Sequence, residues 1–151
     1  MKTMTRGVTA GLVALALMGS PAEARDTITV GVPPAMYETV VAGVKGWNEA
    51  GLGFVVQDTG CGTGDISFCL SDDPWSVGGN ADWVAWWPIG GNIIYVSTVS
   101  PHPFGPPTVA HELGHWLGLH YHSTDPASCM SDFGQTSIHP SDEDLKALEA
   151  A

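Results

Sequence analysis

His111 and His115 stand four residues apart, with Glu112 directly after the first of them, in the run His-Glu-Leu-Gly-His. On a helix this spacing sets both imidazoles on one face, one turn apart, where two nitrogens can share one divalent ion. A carboxylate at position 112 reaches a water held in an open position of that ion. It can take the proton of the water during attack on a peptide carbonyl and pass it to the leaving amine. The chemistry expected of such a trio is hydrolysis of a peptide bond with Zn2+ as the ion, Glu112 as general base and acid, and no covalent enzyme intermediate. A chance helix with solvent-facing histidines is the alternative, and the apolar setting of the motif and the glycine that follows it argue against that.

The elements that must hold these groups are legible in outline. Thr108 is a candidate N-cap for the helix, which runs to about Gly118 with Val109, Leu113, Trp116 and Leu117 as its buried side. Gly118 can adopt the left-handed conformation that ends a helix and turns the chain. Upstream, Ile28, Val30 and Val32 alternate as a first strand, and Met36, Val40, Val41, Val44 and Trp47 recur at helical spacing up to the stop at Gly51 and Gly53. Trp47 is expected in the core. Strands are expected at Phe54–Gln57, Ile66–Leu70, Asp82–Trp87 and Asn92–Ser97, the last two as a hairpin across Ile89-Gly90-Gly91. Four prolines between Pro101 and Pro107 form a stiff connector. His120 to Pro140 is irregular, and Ser141-Asp142-Glu143-Asp144 opens a last short helix with a capping box. The class is α+β in one domain.

The stretch His-Glu-Leu-Gly-His-Trp-Leu-Gly-Leu-His-Tyr-His resembles the extended zinc motif of the metzincins, HExxHxxGxxH, and among them is most similar to the matrixins and related small secreted bacterial peptidases. The resemblance is specific from Val109 to about Met130. It implies a zincin domain with a mixed twisted sheet, an active-site helix, a methionine-containing turn under the metal at Met130, and a C-terminal helix over Ser141 to Ala150. It also implies that the segment Ala81 to Trp87 pairs with extended substrate as an edge strand, making Ala81, Trp83 and Ala85 the substrate-binding candidates. One departure concerns the third ligand. The family slot three residues after the glycine holds Tyr121, flanked by His120 and His122. The run from His122 to Met130 resembles the matrixin spacing from third ligand to turn methionine, which selects His122, with His120 as the alternative. Where astacin-like and serralysin-like enzymes carry a tyrosine two residues after the turn methionine, this chain has Asp132.

Composition sets the surroundings. Lys2 and Arg6, the apolar run Gly7 to Gly19, and the small-residue pattern ending at Ala24 read as a secretory signal over residues 1–24, leaving 25–151 as the catalytic domain. A secreted, extracellular monomer follows, without stable membrane insertion after cleavage. The net charge of −11 falls to −12 once Lys2, Arg6 and Glu23 are removed, which disfavours nucleic acid and leaves protein or peptide as the expected partner. Ca2+ is a further possibility, with Asp65, Asp72, Asp73 and Asp82 as candidates, although no calcium-loop spacing is present and solubility of an exported protein is the favoured explanation of the acids. Export permits a disulfide, and the short separation of Cys61 and Cys69 suggests that pair, leaving Cys129 over; spacing alone does not settle the pairing. Two other function classes fit the same residues: a secreted zinc-binding protein without proteolysis, and a structural domain with a fortuitous motif.

Overall fold

The computed structural model describes residues 27–132 and 134–150; the expected signal segment lies outside them. Five strands, β1 (Ile28–Gly31), β2 (Phe54–Gln57), β3 (Ile66–Ser71), β4 (Ala85–Trp86) and β5 (Ile93–Ser97), form one sheet in the order β2-β1-β3-β5-β4. The β1, β2, β3 and β5 neighbours pair in parallel, and β4 pairs antiparallel to β5, so the sheet is mixed. Among the described residues three α-helices accompany it: α1 (Tyr37–Glu49), α2 (Pro106–Trp116) and α3 (Asp142–Glu149). This arrangement is compatible with the expected α+β class.

Burial alternates along β5, with Ile94 and Val96 inward, while Val55 of β2 and Leu70 of β3 are exposed, so the helices cover the inward side chains only. Val30, Val32, Ile66, Phe68 and Ile94 are buried in one core with Val40 and Trp47 of α1 and Val109 and Leu113 of α2. Helix α1 lies close against α2 because it is notched by glycine. A Cβ on Gly43 would overlap Val109 and the Pro106 carbonyl, and one on Gly46 would overlap the Ile138 carbonyl. Trp47, fully buried as expected, donates its indole N–H to the Ala110 carbonyl of α2 at 2.8 Å. The residue that fills the core thus also fixes the helix carrying His111 and His115.

Three local expectations are corrected. Helix α2 starts at Pro106 with Gly105 in the cap position and no side-chain cap, so Thr108 is a buried residue inside the first turn. Pro106 and Pro107 suit that turn because its amides have no intrahelical acceptor to lose. The strand expected over Asp82–Trp87 shrinks to Ala85–Trp86. Asn80 takes the preceding residues into a turn, its side chain accepting from the Asp82 N–H at 3.0 Å and its carbonyl from the Trp83 N–H at 3.1 Å. Of the residues expected on the buried side of α2, Val109 and Leu113 are buried and Trp116 and Leu117 are half-buried.

Cys61 and Cys69 form a disulfide, and Cys129 is a free, buried thiol. The bond matches an oxidising compartment. Among the described residues no helix is long and apolar enough to cross a membrane.

Candidate metal centre

The end of α2 assembles the centre. Gly118 sits at φ +109°, and the two hydrogen bonds of a left-handed helix stop form around it: Gly118 N–H to the His115 carbonyl and Leu119 N–H to the Gly114 carbonyl, both 3.0 Å. Leu119 is drawn into the core. The chain then reverses, and the next three side chains diverge. His120 stacks on Trp87 with ring centroids 5.9 Å apart. Tyr121 turns away to donate its hydroxyl to Asp144 Oδ1 at 2.8 Å. His122 comes back over the helix: its Nε2 lies 3.2 Å from His115 Nε2, which lies 3.0 Å from His111 Nε2. His111, His115 and His122 are the one group of three potential ligands brought close together among the described residues, with ligand atoms within 4.8 Å of one another. These three residues can hold a metal ion.

The opposite nitrogens explain why the Nε2 atoms face inward. His111 Nδ1 lies 2.9 Å from the Cys129 carbonyl, His115 Nδ1 lies 2.6 Å from the Leu119 carbonyl, and His122 Nδ1 lies 3.3 Å from Asp132 Oδ1. The two carbonyls hydrogen-bond to Nδ1–H and so leave a lone pair on Nε2 of His111 and His115; the Asp132 carboxylate, in ion-pair range, favours the same tautomer of His122 through its charge. Three lone pairs then point at one spot, an arrangement a shared cation relieves. Four-coordinate zinc with Zn–N of about 2.0–2.1 Å requires N···N separations of about 3.3 Å, close to those present. Burial, and then the neighbouring His115, push His111 down to about pKa 4 against the Cys129 carbonyl; burial also lowers His115. Both rings are therefore neutral at pH 7, the form that coordinates.

The turn under the centre is held from several sides. Met130 is fully buried, and a Cβ on Gly114 would overlap its Sδ, so the methionine lies against α2 at Gly114. The Ser128 hydroxyl accepts from the Met130 N–H at 2.8 Å and donates to Asp144 Oδ2 at 2.6 Å. Asp144 also receives the Ser141 amide at 2.7 Å in the expected capping box. Burial alone would raise the Asp144 pKa, but the bonds from Ser128, Ser141 and Tyr121 more than offset it and the carboxyl is held below its ordinary value. One side chain of α3 thereby ties together the helix, the methionine turn and the segment between Gly118 and His122. This role was not legible in the sequence beyond the capping pattern.

Glu112 is buried, 5% exposed. Burial raises its carboxyl to about pKa 8 in the absence of an ion, opposed by a hydrogen bond from the Trp87 backbone N–H. That bond follows from the register of β4. The Ser97 N–H donates to the Val84 carbonyl at 2.9 Å, and Ala85 pairs with Val96. Hydrogen-bonded and open pairs alternate along an antiparallel ladder, so the main-chain polar groups of Ala85 and Trp87 face the free edge. Trp87 spends its amide on Glu112; Ala85 offers its own to the cleft.

Two clefts meet at the histidines. One, of about 500 Å³, is lined by Trp83, Ala85, His111, His122 and Asp132 among others. The second, of about 340 Å³, is lined by Trp83, Ala85, Trp86, His111, Glu112 and His115 among others. Trp83 and Ala85 thus line both, while Ala81 sits in the exposed turn before them and lines neither. The Trp86 ring is buried and stacks on Tyr95. The four calcium candidates are not gathered into one site. Asp65 accepts from the Thr29 amide and hydroxyl at 2.7 Å each, Asp73 caps the short helical turn Pro74–Val77, and Asp72 and Asp82 are exposed. Comparison of the chain with protein-family models gives no match, and a search of curated proteins finds no significant relative.

Proposed function

We propose that this chain is a secreted zinc-dependent endopeptidase of the metzincin type, with His111, His115 and His122 as metal ligands and Glu112 as the catalytic acid and base. The observation that carries the reading is the convergence of three Nε2 atoms whose Nδ1 partners all favour the coordinating tautomer. When bound, zinc supplies Lewis acidity, acidifying water and polarising a carbonyl. Glu112 lines the cleft beside the histidines and is aimed by the Trp87 amide. A nearby cation returns its carboxyl to the ionised form. The carboxylate then accepts the proton of the attacking water and delivers it to the departing amine. An extended peptide lies along the edge of β4, exchanging main-chain hydrogen bonds with Ala85, while Trp83 bounds both clefts. Met130 supports the ligands from below without meeting substrate.

The test is a zinc titration run beside cleavage of denatured casein, with and without chelator, for wild type and Glu112→Ala. The variant is expected to keep one zinc per chain and lose cleavage. Wild-type cleavage in the variant overturns the mechanism, and zinc uptake by a wild-type chain that cuts nothing leaves a metal-binding protein in its place.

A further inference from the structure

The three histidines are not held alike. His111 and His115 are oriented by main-chain oxygens, those of Cys129 and Leu119. His122 faces a side-chain carboxylate instead, Asp132, and this pair is open to solvent at 46% and 70% side-chain exposure. We propose that Asp132 is the positioning residue for His122 and through it sets how tightly the centre holds its ion, an inference that rests on reading the trio as a metal centre.

The backbone keeps the two residues in register. The Ser123 N–H donates to the Met130 carbonyl at 2.7 Å, and the Asp132 N–H donates to the Ser123 carbonyl at 3.1 Å. The residue after His122 is therefore clamped to the strand segment that carries Asp132, and Ser123 and Ser131 form a parallel bridge between them. Asp132 Oδ1 lies 3.3 Å from His122 Nδ1, which favours the proton on that nitrogen and the lone pair on Nε2. A buried ring such as His111 is also confined by packing. An exposed ring is not, so its rotamer freedom must be removed by a partner or lost when the ion binds. Asp132 supplies that partner and, unlike the two carbonyls, a full negative charge beside a dication bound by neutral imidazoles. Partners of ligating histidines change metal affinity by about 10–100-fold when removed.

The experiment measures zinc affinity of the full chain by competition with a chromogenic chelator, for wild type, Asp132→Asn and Asp132→Glu, together with the visible absorption of the cobalt-substituted forms. Asp132→Asn is expected to bind zinc about 10–100-fold more weakly, with a cobalt spectrum moved toward that of His122→Ala, and Asp132→Glu to recover part of both. Melting of the metal-free Asp132→Asn chain is expected to match wild type, because an exposed ion pair adds little to folding. Wild-type affinity in Asp132→Asn, or no recovery in Asp132→Glu, overturns the inference. A wild-type chain that takes up no zinc overturns the metal centre and this inference together. Zinc uptake without casein cleavage overturns only the peptidase reading and leaves the Asp132 comparison to be decided on affinity.

Discussion

His115 Nδ1 meets the carbonyl oxygen of Leu119 at 2.6 Å, across the glycine turn that ends α2. The helix therefore orients its second histidine with the backbone of the segment that leaves it. That same segment delivers His122 three residues later, so the stop of the helix and the geometry of the centre are one feature.

Gly118→Ala tests that coupling. The position is open, with nothing near a Cβ, so the cost is the backbone conformation at φ +109° rather than a clash. A loss of about 1–2 kcal/mol in urea unfolding is expected. Zinc affinity should fall with it, because the Leu119 carbonyl and His122 both move. Unchanged affinity alongside reduced stability would separate the turn from the centre.

His122→Ala and His120→Ala distinguish the two candidates for the third ligand. The first removes an Nε2 from the trio; the second removes a ring stacked on Trp87. Zinc affinity is expected to drop by orders of magnitude in His122→Ala and to stay within a few-fold of wild type in His120→Ala, as read by isothermal titration calorimetry. The reverse pattern would transfer the ligand to His120.

Asp144→Asn should destabilise the chain by about 1.5–3 kcal/mol, the range for hydrogen bonds to a charged group. The amide nitrogen cannot accept the Ser128 and Ser141 donors that Oδ2 now takes. Because the folded carboxyl sits below its ordinary value of 3.8, its contribution is fully present above that pH and is lost as pH falls through the folded pKa. Denaturation of the variant should accordingly show a shallower acid limb than wild type.

The metal-free chain should lose stability as pH rises from about 6.5 to 8. Glu112 keeps its proton to about pH 8 in the folded state, against an ordinary value of 4.5, so over that span the folded chain holds a proton that the unfolded chain has already lost. His111 works in the opposite sense, with a folded value near 4 against 6.5, but its effect ends above pH 6.5, where both states are neutral. Thermal melts in chelator should show the slope, and Glu112→Gln should remove it. Saturating zinc should flatten it too, since a neighbouring cation favours the carboxylate.

Much of the centre is local in origin and was therefore readable in the linear order of residues. The four-residue spacing of His111 and His115, the carboxylate between them, the glycine stop at Gly118 and the capping box at Ser141 each depend on helical geometry within a few positions. The apolar periodicities of α1 and β1 are of the same kind, and so is the short Cys61–Cys69 separation. The choice between His120 and His122 is different. It turns on which side chain finds a competing partner, and those partners, Trp87 and Asp144, lie 33 residues before His120 and 23 after Tyr121. The extent of β4 likewise depended on Asn80 capturing the preceding amides, and the start of α2 on two prolines taking the place of a cap. What the residues determined by themselves was the chemistry available, two imidazoles and a carboxylate on one turn of helix. What only the tertiary structure decided was which oxygens aim the three imidazoles and which partners draw His120 and Tyr121 away from them, because backbone carbonyls and distant side chains have no signature in a one-dimensional pattern.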